Sequence, residues 1–475
     1  MSMSINEILK VIQSYKEDGR EIYVVGGFVR DNLLGKSTKD IDIVCRNSKS
    51  LAEKIAQRLG GSFIPLDRKN GIYRVALKDN KFMLDVGCFT DDIKSDLLKR
   101  DFTVNAMAVS LEDYLAYGIT ESTVIDVAGG MQDLHKRLIV PISEENIDAD
   151  PLRMLRAIRI AMTKEFSLSS NVQIKIKKDN HLLINCSKER IADELWQILS
   201  CVSAEKSFVL LDDLKVLGTL FPKMKELKAT NQNFYHVENV FKHSLRVLKH
   251  LNDIVHNHQF PDEIQTEVLG YLYEDFKRGY PRYTTLKLAA FLHDIGKPKC
   301  MKVNEDGRIT FHNHHKVGAE LVGDYLKNLT ISNDEKYLLK TMINYHMYPL
   351  NFYNNGKVSA KAMRRFVYKT GGDALGVLLL ALADGNATNA AKGKNSFENQ
   401  KFIYELLRKA VQLEKELKKL PKLLSGAEVM EIMGIPQSEL VGEVLQKIKL
   451  QQVEGTIKNK PQAIAAVRNM KKKRQ

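Results

Sequence analysis

The 475-residue chain contains one tryptophan and five cysteines. The cysteines Cys45, Cys88, Cys186, Cys201 and Cys300 are odd in number, scattered, and never spaced as C-x-x-C. That excludes a disulfide-stapled miniprotein and a cysteine zinc site, and points to a reducing compartment. No apolar run approaches the ~18 residues of a membrane span, so none is expected to cross a bilayer. No self-similarity at a period of ~20–50 residues is present, which excludes solenoids and propellers, and no low-complexity linker interrupts the chain. The opening MSMSINEILKVIQSYKEDG reads as an amphipathic helix carrying acids rather than as a signal peptide, and a cytoplasmic location is expected. Acidic residues are in deficit: 58 Asp+Glu against 72 Lys+Arg leave a formal charge of +14. Such a balance suits a polyanionic partner such as nucleic acid, and equally suits plain solubility.

What is present is an ordinary globular composition, 44% apolar and 27% charged, with a length that predicts about three domains. Residues 1–140 carry short β-rich runs, EIYVVGG, DIDIVC, GSFIPL, YRVAL, FMLDVGCF and NAMAVSL, bounded by turn residues. Between the second and third lies a helical pattern, SLAEKIAQRLG, that stops on Gly60-Gly61. From about Asp148 onward strand signals almost vanish and apolar residues recur at helical spacing. The fold class expected is therefore α+β: a small β-sheet head followed by a largely all-α body. Breakers near Asn231 and across Ala390–Asn399 suggest cuts, and Pro421 precedes a short helical hairpin. The division expected is 1–140, 141–230, 231–400 and 401–475, ending on the basic run Lys471–Arg474.

Tyr23-Val24-Val25-Gly26-Gly27-Phe28-Val29-Arg30 reads as strand, glycine turn and helix start. Glycines there let backbone N–H groups approach an anion at a helix N-terminus, and Arg30 can add a bidentate phosphate contact. Tight turns alone also account for such pairs. Further on, Asp40 and Asp42 stand two apart and share one strand face, with Ile41 and Ile43 on the other. Two adjacent carboxylates repel unless a cation joins them, and Mg²⁺ commonly takes one or two carboxylates plus substrate phosphates. An exposed strand face with solvated aspartates gives the same pattern. Asp85, among apolar residues in FMLDV, is a third candidate ligand if its strand is adjacent. Arg100, Asp101 and Asn105 cluster before an apolar strand and suit ribose and triphosphate contacts. Phosphate loop, paired carboxylates and polar cluster together describe metal-assisted nucleotidyl transfer.

In order, GGFVRDNLLG, KDIDIV, KRDFTVNAM and DPLRMLRAIRIA closely resemble the bacterial and eukaryotic class of tRNA nucleotidyltransferases, the CCA-adding enzymes and their poly(A) polymerase relatives. The resemblance implies a nucleotidyltransferase head and a helical neck. It implies Asp40 and Asp42 as Mg²⁺ ligands that activate the RNA 3′-hydroxyl for attack on the α-phosphate of ATP or CTP. Gly26, Gly27 and Arg30 would hold the triphosphate, with Arg100, Asp101 and Asn105 near the sugar. Asp150 and Arg153 would read the base, and Arg156, one turn on, joins the nucleotide-binding set. Two departures stand out: Lys99 replaces a customary arginine, and Ala149 a customary glutamate. The second leaves open whether the full CCA of tRNA is built or only part of it. An A-adding enzyme, a poly(A) polymerase and a non-catalytic RNA binder are the alternatives.

Taken from the residues alone, Asp150-Pro151 should cap a helix, with Arg153 beside Asp150 and Arg156 on the face opposite Leu155, Ile158 and Met162. In the helical half, His243, His293-Asp294, His314, His346 and Asp384 lie on several helical segments that can converge on a divalent ion. Their order, H…HD…D, resembles the HD superfamily of metal-dependent phosphohydrolases, and His314 and His346 match its two-metal variants. The resemblance implies a divalent transition metal and phosphodiesterase or phosphatase chemistry. The alternative from another class is an HD phosphohydrolase whose head merely binds nucleotides.

Overall fold

A computed structural model describes residues 3–15, 21–36, 38–77, 82–231, 239–356, 358–391 and 397–472. It divides into two compact units, residues 1–195 with 213–216, and residues 196–212 with 217–475. All five cysteines are free thiols.

The first unit is built on seven strands: β1 (Ile22–Val25), β2 (Asp40–Cys45), β3 (Ser62–Asp67), β4 (Ile72–Ala76), β5 (Met83–Cys88), β6 (Met107–Ser110) and β7 (Ile125–Asp126). Their order is β3-β4-β5-β2-β1-β6-β7. All six expected strands are present; β7, two residues long, is too short to show alternation. β2 and β5 run parallel while the other neighbours are antiparallel. The parallel pair requires a crossover, supplied by the helix Ser48–Leu59 and the β3–β4 hairpin. That helix ends where the sequence predicts, on Gly60 at φ +64°, a left-handed cap that glycine adopts without a Cβ clash. One sheet face buries Val24, Ile41, Ile43, Val75, Leu84 and Val86. On the other, Val25, Val44, Phe89, Leu97, Ala106 and Ala108 form a separate core. Ahead of the sheet, the amphipathic helix Ile5–Gln13 starts in a Ser4/Glu7 capping box and buries Ile8, Leu9 and Ile12; the remainder of its expected span, 16–20, lies outside the described residues.

The helix Leu152–Lys164 follows the head and differs from expectation at its start. Pro151, not Asp150, is the N-cap, and the Asp150 carboxylate accepts the Leu152 N–H at 3.3 Å. Its apolar stripe, including Leu155 and Ile158, is buried as the spacing predicts.

The second unit is almost wholly helical; its strands are two-residue and three-residue ribbons such as Asp275–Lys277 with Tyr280–Pro281. The helices Val240–His256, Arg282–Leu292, His314–Tyr325, Asn333–Tyr345 and Ala374–Ala391 make its core. The first ten residues of Ala374–Ala391 are apolar on every side and, apart from Ala381, buried. Among the described residues no single helix is long and apolar enough to cross a membrane. Beyond Phe397–Lys418, three helices, Gly426–Met433, Glu439–Val453 and Lys460–Lys472, pack on their own small core of Val429, Val444, Ile448 and Val467. The expected hairpin therefore has a third member. The breaks expected near Asn231 and 390–399 fall largely on 232–238 and 392–396, and the end of the basic run on 473–475, all outside the described residues.

Candidate active site and metal centre

β1 leads straight into the helix Gly26–Leu33 through the two glycines. Gly26 sits at φ +67°, and a Cβ there would lie 2.9 Å from Arg100 Nη1 and 3.5 Å from Asp42 Oδ2. A Cβ on Gly27 would stand 3.6 Å from the same carboxylate oxygen and 3.4 Å from Arg30 Nη2. The glycine turn, Asp42, Arg100 and Arg30 thus meet at one spot at the N-terminus of a helix, where backbone N–H groups favour negative charge.

On β2, Asp42 pairs in register with Asp85 of β5. Burial, and then the neighbouring Asp85 carboxylate, push the Asp42 carboxyl up to about 6. Two carboxylates abreast, one with a raised affinity for protons, form a donor set that suits a divalent cation. Asp40, two residues back on the same face, is exposed. Asp85 is engaged by Arg74 of β4, which donates through Nε and Nη2 to its two oxygens at 2.7 and 2.8 Å. Sequence reading missed Arg74; its signal is the β4–β5 register that sets Arg74 opposite Asp85.

The other nucleotide-site candidates form one chain of bonds. Arg30, buried, donates to Asp31 at 2.9 Å and to Asn105 Oδ1 at 2.5 Å. Asn105 Nδ2 donates to Asp101 Oδ1 at 3.0 Å, and Asp101 Oδ2 meets Arg156 Nη2 at 3.0 Å. Lys164 closes the other end on Asp31 at 2.7 Å. Although burial opposes it, Arg156 holds the Asp101 carboxyl below its ordinary range. The arginine face of the Leu152–Lys164 helix is therefore directed at the head residue Asp101 rather than at solvent.

Arg153 does not pair with the Asp150 carboxylate. Its Nη1 donates to the carbonyls of Asn146 at 3.0 Å and Arg100 at 3.3 Å, and Asn146 Nδ2 donates to Arg100 O at 2.7 Å. The partner of Asp150 is Arg190, at 2.6 Å, from the helix Lys188–Leu199. Arg100 itself bonds Asp96 through Nε and Nη2, which leaves Nη1 directed at Gly26.

In the second unit, His243, His293, Asp294, His314, His346 and Asp384 come together. Asp294 is central: its Oδ2 lies 3.1 Å from His293 Nε2 and 3.7 Å from His243 Nε2, and its Oδ1 lies 3.3 Å from His314 Nε2 and 3.9 Å from His346 Nε2. His243 Nε2 is also 3.0 Å from Asp384 Oδ1. Two donor sets share the carboxylate, His243/His293/Asp294 and Asp294/His314/His346, all buried, each with its ligand atoms within 4.8 Å of one another. Lys297, which sequence reading passed over, places Nζ 2.5 Å from Asp294 Oδ2.

The donor chemistry accords with a cation. His293, His314 and His346 each have Nδ1 2.7–2.8 Å from a backbone carbonyl three residues back, of Ala290, Phe311 and Ile343 respectively. A carbonyl only accepts, so each Nδ1 carries the proton. Burial, and then His293 and His314, hold His346 down at about 3, so its ring is neutral. Its Nε2 lone pair nevertheless faces His314 Nε2 at 3.3 Å. His293 Nε2 and Asp294 Oδ2, both buried, face one another, with Lys297 beside the carboxylate. Converging acceptors in a dry site, with tautomers fixed by outer bonds, are what a divalent metal requires.

Comparison with known proteins accords with both halves. Residues 22–140 match the poly A polymerase head domain, 165–228 the probable RNA and SrmB-binding site of polymerase A, and 240–385 the HD domain. The A-adding tRNA nucleotidyltransferase of Deinococcus radiodurans is 30% identical over 453 residues, covering 94% of each chain. The CC-adding tRNA nucleotidyltransferase of Thermus thermophilus is 29% identical over 452 residues, covering 94% of this chain and 93% of that one. A Thermotoga maritima CCA-adding enzyme solved with tRNA shares the fold at a TM-score of 0.53 and 21% identity, over 97% of this chain and 94% of that one. With a full-length relative at that identity and all four sequence motifs in order, the chain belongs to the tRNA nucleotidyltransferase and poly(A) polymerase family, and it is a nucleotidyltransferase whose head and RNA-binding region are followed by an HD domain.

Proposed function

We propose that this chain extends the 3′ end of tRNA without a template, adding or repairing the terminal CCA from CTP and ATP. The observation that carries the reading is the convergence of the Gly26-Gly27 turn and Arg100 on Asp42. Asp40 and Asp42 would hold Mg²⁺, which when bound lowers the pKa of the attacking 3′-hydroxyl and neutralises phosphate charge. The protein's own part is positioning. The glycine turn offers backbone N–H groups to the triphosphate, and Arg100 Nη1 adds a cation beside it. The Asn105–Asp101–Arg156 bonds fix the floor on which the sugar would rest. Asp85, clamped by Arg74, contributes negative charge next to Asp42. Asp150 and Arg153 stand as base readers at the start of the neck helix, Asp150 reached by displacing Arg190.

A single-step enzyme is the second reading. It is favoured by the two relatives that match over 94% of this chain, one A-adding and one CC-adding, and by Ala149. Incubation of tRNA ending at the discriminator base, at -C-C and at -C-C-A, with labelled CTP or ATP, separates them. Incorporation of C and then A on the shortest substrate is expected. Addition of A to -C-C with no C incorporation anywhere would leave only the A-adding reading, and tailing of arbitrary RNA would favour a poly(A) polymerase.

For the second unit we infer a divalent transition-metal site with phosphodiesterase or phosphatase chemistry. His243, His293, Asp294, His314 and His346 would hold the metal, with Asp384 at its edge. A bound metal would supply an activated water. Release of phosphate from 2′,3′-cyclic phosphates with Ni²⁺ or Mn²⁺ tests this, and turnover unchanged in His293→Ala would refute it.

A further inference from the structure

A cavity of about 600 Å³ opens in the second unit, at the start of the Arg282–Leu292 and Ala374–Ala391 helices. The candidate metal centre lies just past the end of the first helix, at His293-Asp294, and more than halfway along the second, at Asp384. Eleven helical residues, about 16 Å, separate Arg282 from His293 and Asp373 from Asp384. The cavity is therefore distinct from that centre, and no role assigned above involves it.

Its charges nearly all cancel in pairs. Lys415 meets Glu267 at 2.6 Å, and Lys277 meets Asp334 at 2.7 Å. Arg282 donates through Nη2 to Glu274 at 2.6 Å and through Nη1 to Asp373 at 3.1 Å. The Arg282 guanidinium also lies over Phe276 and Tyr271, 4.4 and 5.0 Å from the ring centroids. Tyr271 donates its hydroxyl to Asp373 at 3.1 Å. Glu414 and Lys418, one turn on and exposed, are left over: among the described residues neither makes an ion pair, and the Glu414 Oε1 is buried without a hydrogen-bond partner. Burial pushes the Glu414 carboxyl up to about 7, against Lys418 and Arg282, and that of Asp373 to about 6, against Arg282. The walls between these groups combine aliphatic Leu338, Leu375 and Val411 with the rings of Tyr271, Phe276 and Tyr337.

A carboxyl floor without a partner repels anions. A hard divalent ion needs about six oxygens, far more than Glu414 offers beside carboxylates already engaged by Arg282, Lys415 and Lys277. An ammonium group on a methylene stem suits the lining: the head donates to Glu414, and the stem lies along Leu375 and Val411. We propose that this cavity binds a linear aliphatic polyamine, with one ammonium seated on Glu414.

Spermidine is the probe, titrated calorimetrically into the full chain at roughly pH 8 and 0.15 M salt, where diffuse electrostatics are screened. On a chain of net charge +14, nonspecific uptake of a polycation is disfavoured. One saturable site is expected, weakened at least about tenfold in Glu414→Gln and unchanged in Glu431→Gln, whose glutamate is exposed on the Gly426–Met433 helix. The absence of saturable binding, equal affinity in Glu414→Gln, or displacement of spermidine by an equal concentration of Mg²⁺ would overturn the proposal. If Glu414→Gln does not fold, the wild-type affinity at about pH 6 and 8 is decisive. Facing Glu414 are Lys415 and Lys418 on its own helix, Arg282, Tyr271, Glu267 and Glu274, Asp334 and Tyr337, and Asp373. Asp373 ionises in the same direction as Glu414, so spermidine should bind severalfold tighter at the higher pH. Equal or weaker binding there overturns the proposal as well.

Discussion

The head site and the histidine-aspartate centre, the two candidate cation sites, arrange their carboxylates in opposite ways. In the head, Asp40 is exposed, Asp42 and Asp85 lie abreast across two strands, and Arg74 and Arg100 are close at hand. Its donors come from neighbouring strands and a turn, so access is open and charge is balanced locally by arginine. In the second unit, five of the six donor residues are buried and come from separate helical segments, with Asp294 shared between two sets. The charged side chain that meets Asp294 there is a single lysine, Lys297. An open strand face suits a metal that arrives with its substrate, and a closed, pre-bonded cage suits a resident metal.

That contrast can be broken at several points. The largest effect expected is on catalysis: Asp42→Ala should lower nucleotide incorporation by at least about 100-fold, since loss of an outer-shell partner alone costs ~10–100-fold. Retention of even a tenth of the rate, with an unaltered melting profile, would remove Asp42 from the reaction. Next, Asp294→Ala should strip copurifying metal to background by elemental analysis while leaving nucleotide incorporation within about twofold. Loss of both activities together would end the view of two independent sites.

Stability distinguishes the sites less sharply. Breaking a fully buried ion pair costs ~3–5 kcal/mol, but the Arg156 side chain is 39% exposed, so Arg156→Gln should cost about 2 kcal/mol by chemical denaturation. The folded Asp101 carboxyl lies below its ordinary range, so the stability it contributes is present above that range and is lost on acidification through the folded value. Wild type and Arg156→Gln should therefore converge at low pH, and a constant gap would refute the pairing. The smallest effect concerns Glu414 and Asp373. Both folded values are raised, to about 7 and about 6, so the folded state holds protons that the unfolded state releases. Their contribution is full below the unfolded carboxylate range and lost as pH rises to about 7. Glu414→Gln should flatten that part of the stability profile, and an unchanged slope would show that Glu414 is not the titrating group.

Legibility in the sequence followed the range of the interactions. Strands β1 to β6, the Gly60 stop and the Asp40/Asp42 face are set by alternation and local backbone preference, and each could be read from a few consecutive residues. The histidine-aspartate group was legible because each residue type is uncommon on an apolar helix and several recur. The pairings of Arg74 with Asp85, Arg190 with Asp150 and Arg153 with the Arg100 carbonyl were not legible. They join residues 11 to 53 positions apart, and only the β4–β5 register, the approach of the Lys188–Leu199 helix or the seat of the neck helix on the head fixes them. The cap at Pro151 was missed by one residue because Asp150 bonds an N–H at the first turn while its backbone stays extended. Glu414 gave no signal at all: a glutamate in a Lys-rich helix reads as solvated until its neighbours are known.

His293 and His346 each stand directly after the last residue of a helix, Arg282–Leu292 and Asn333–Tyr345 respectively, in the C-cap position. Their Nδ1–H bonds to Ala290 and Ile343 satisfy last-turn carbonyls that would otherwise go without a donor. The imidazole whose Nε2 faces the Asp294 carboxylate is thus also the punctuation that ends its helix. Alanine at either position removes a candidate ligand and frays a terminus in one stroke, so a drop in melting temperature in such a variant is no measure of metal affinity. An asparagine there, which can still donate to the carbonyl, separates the two losses.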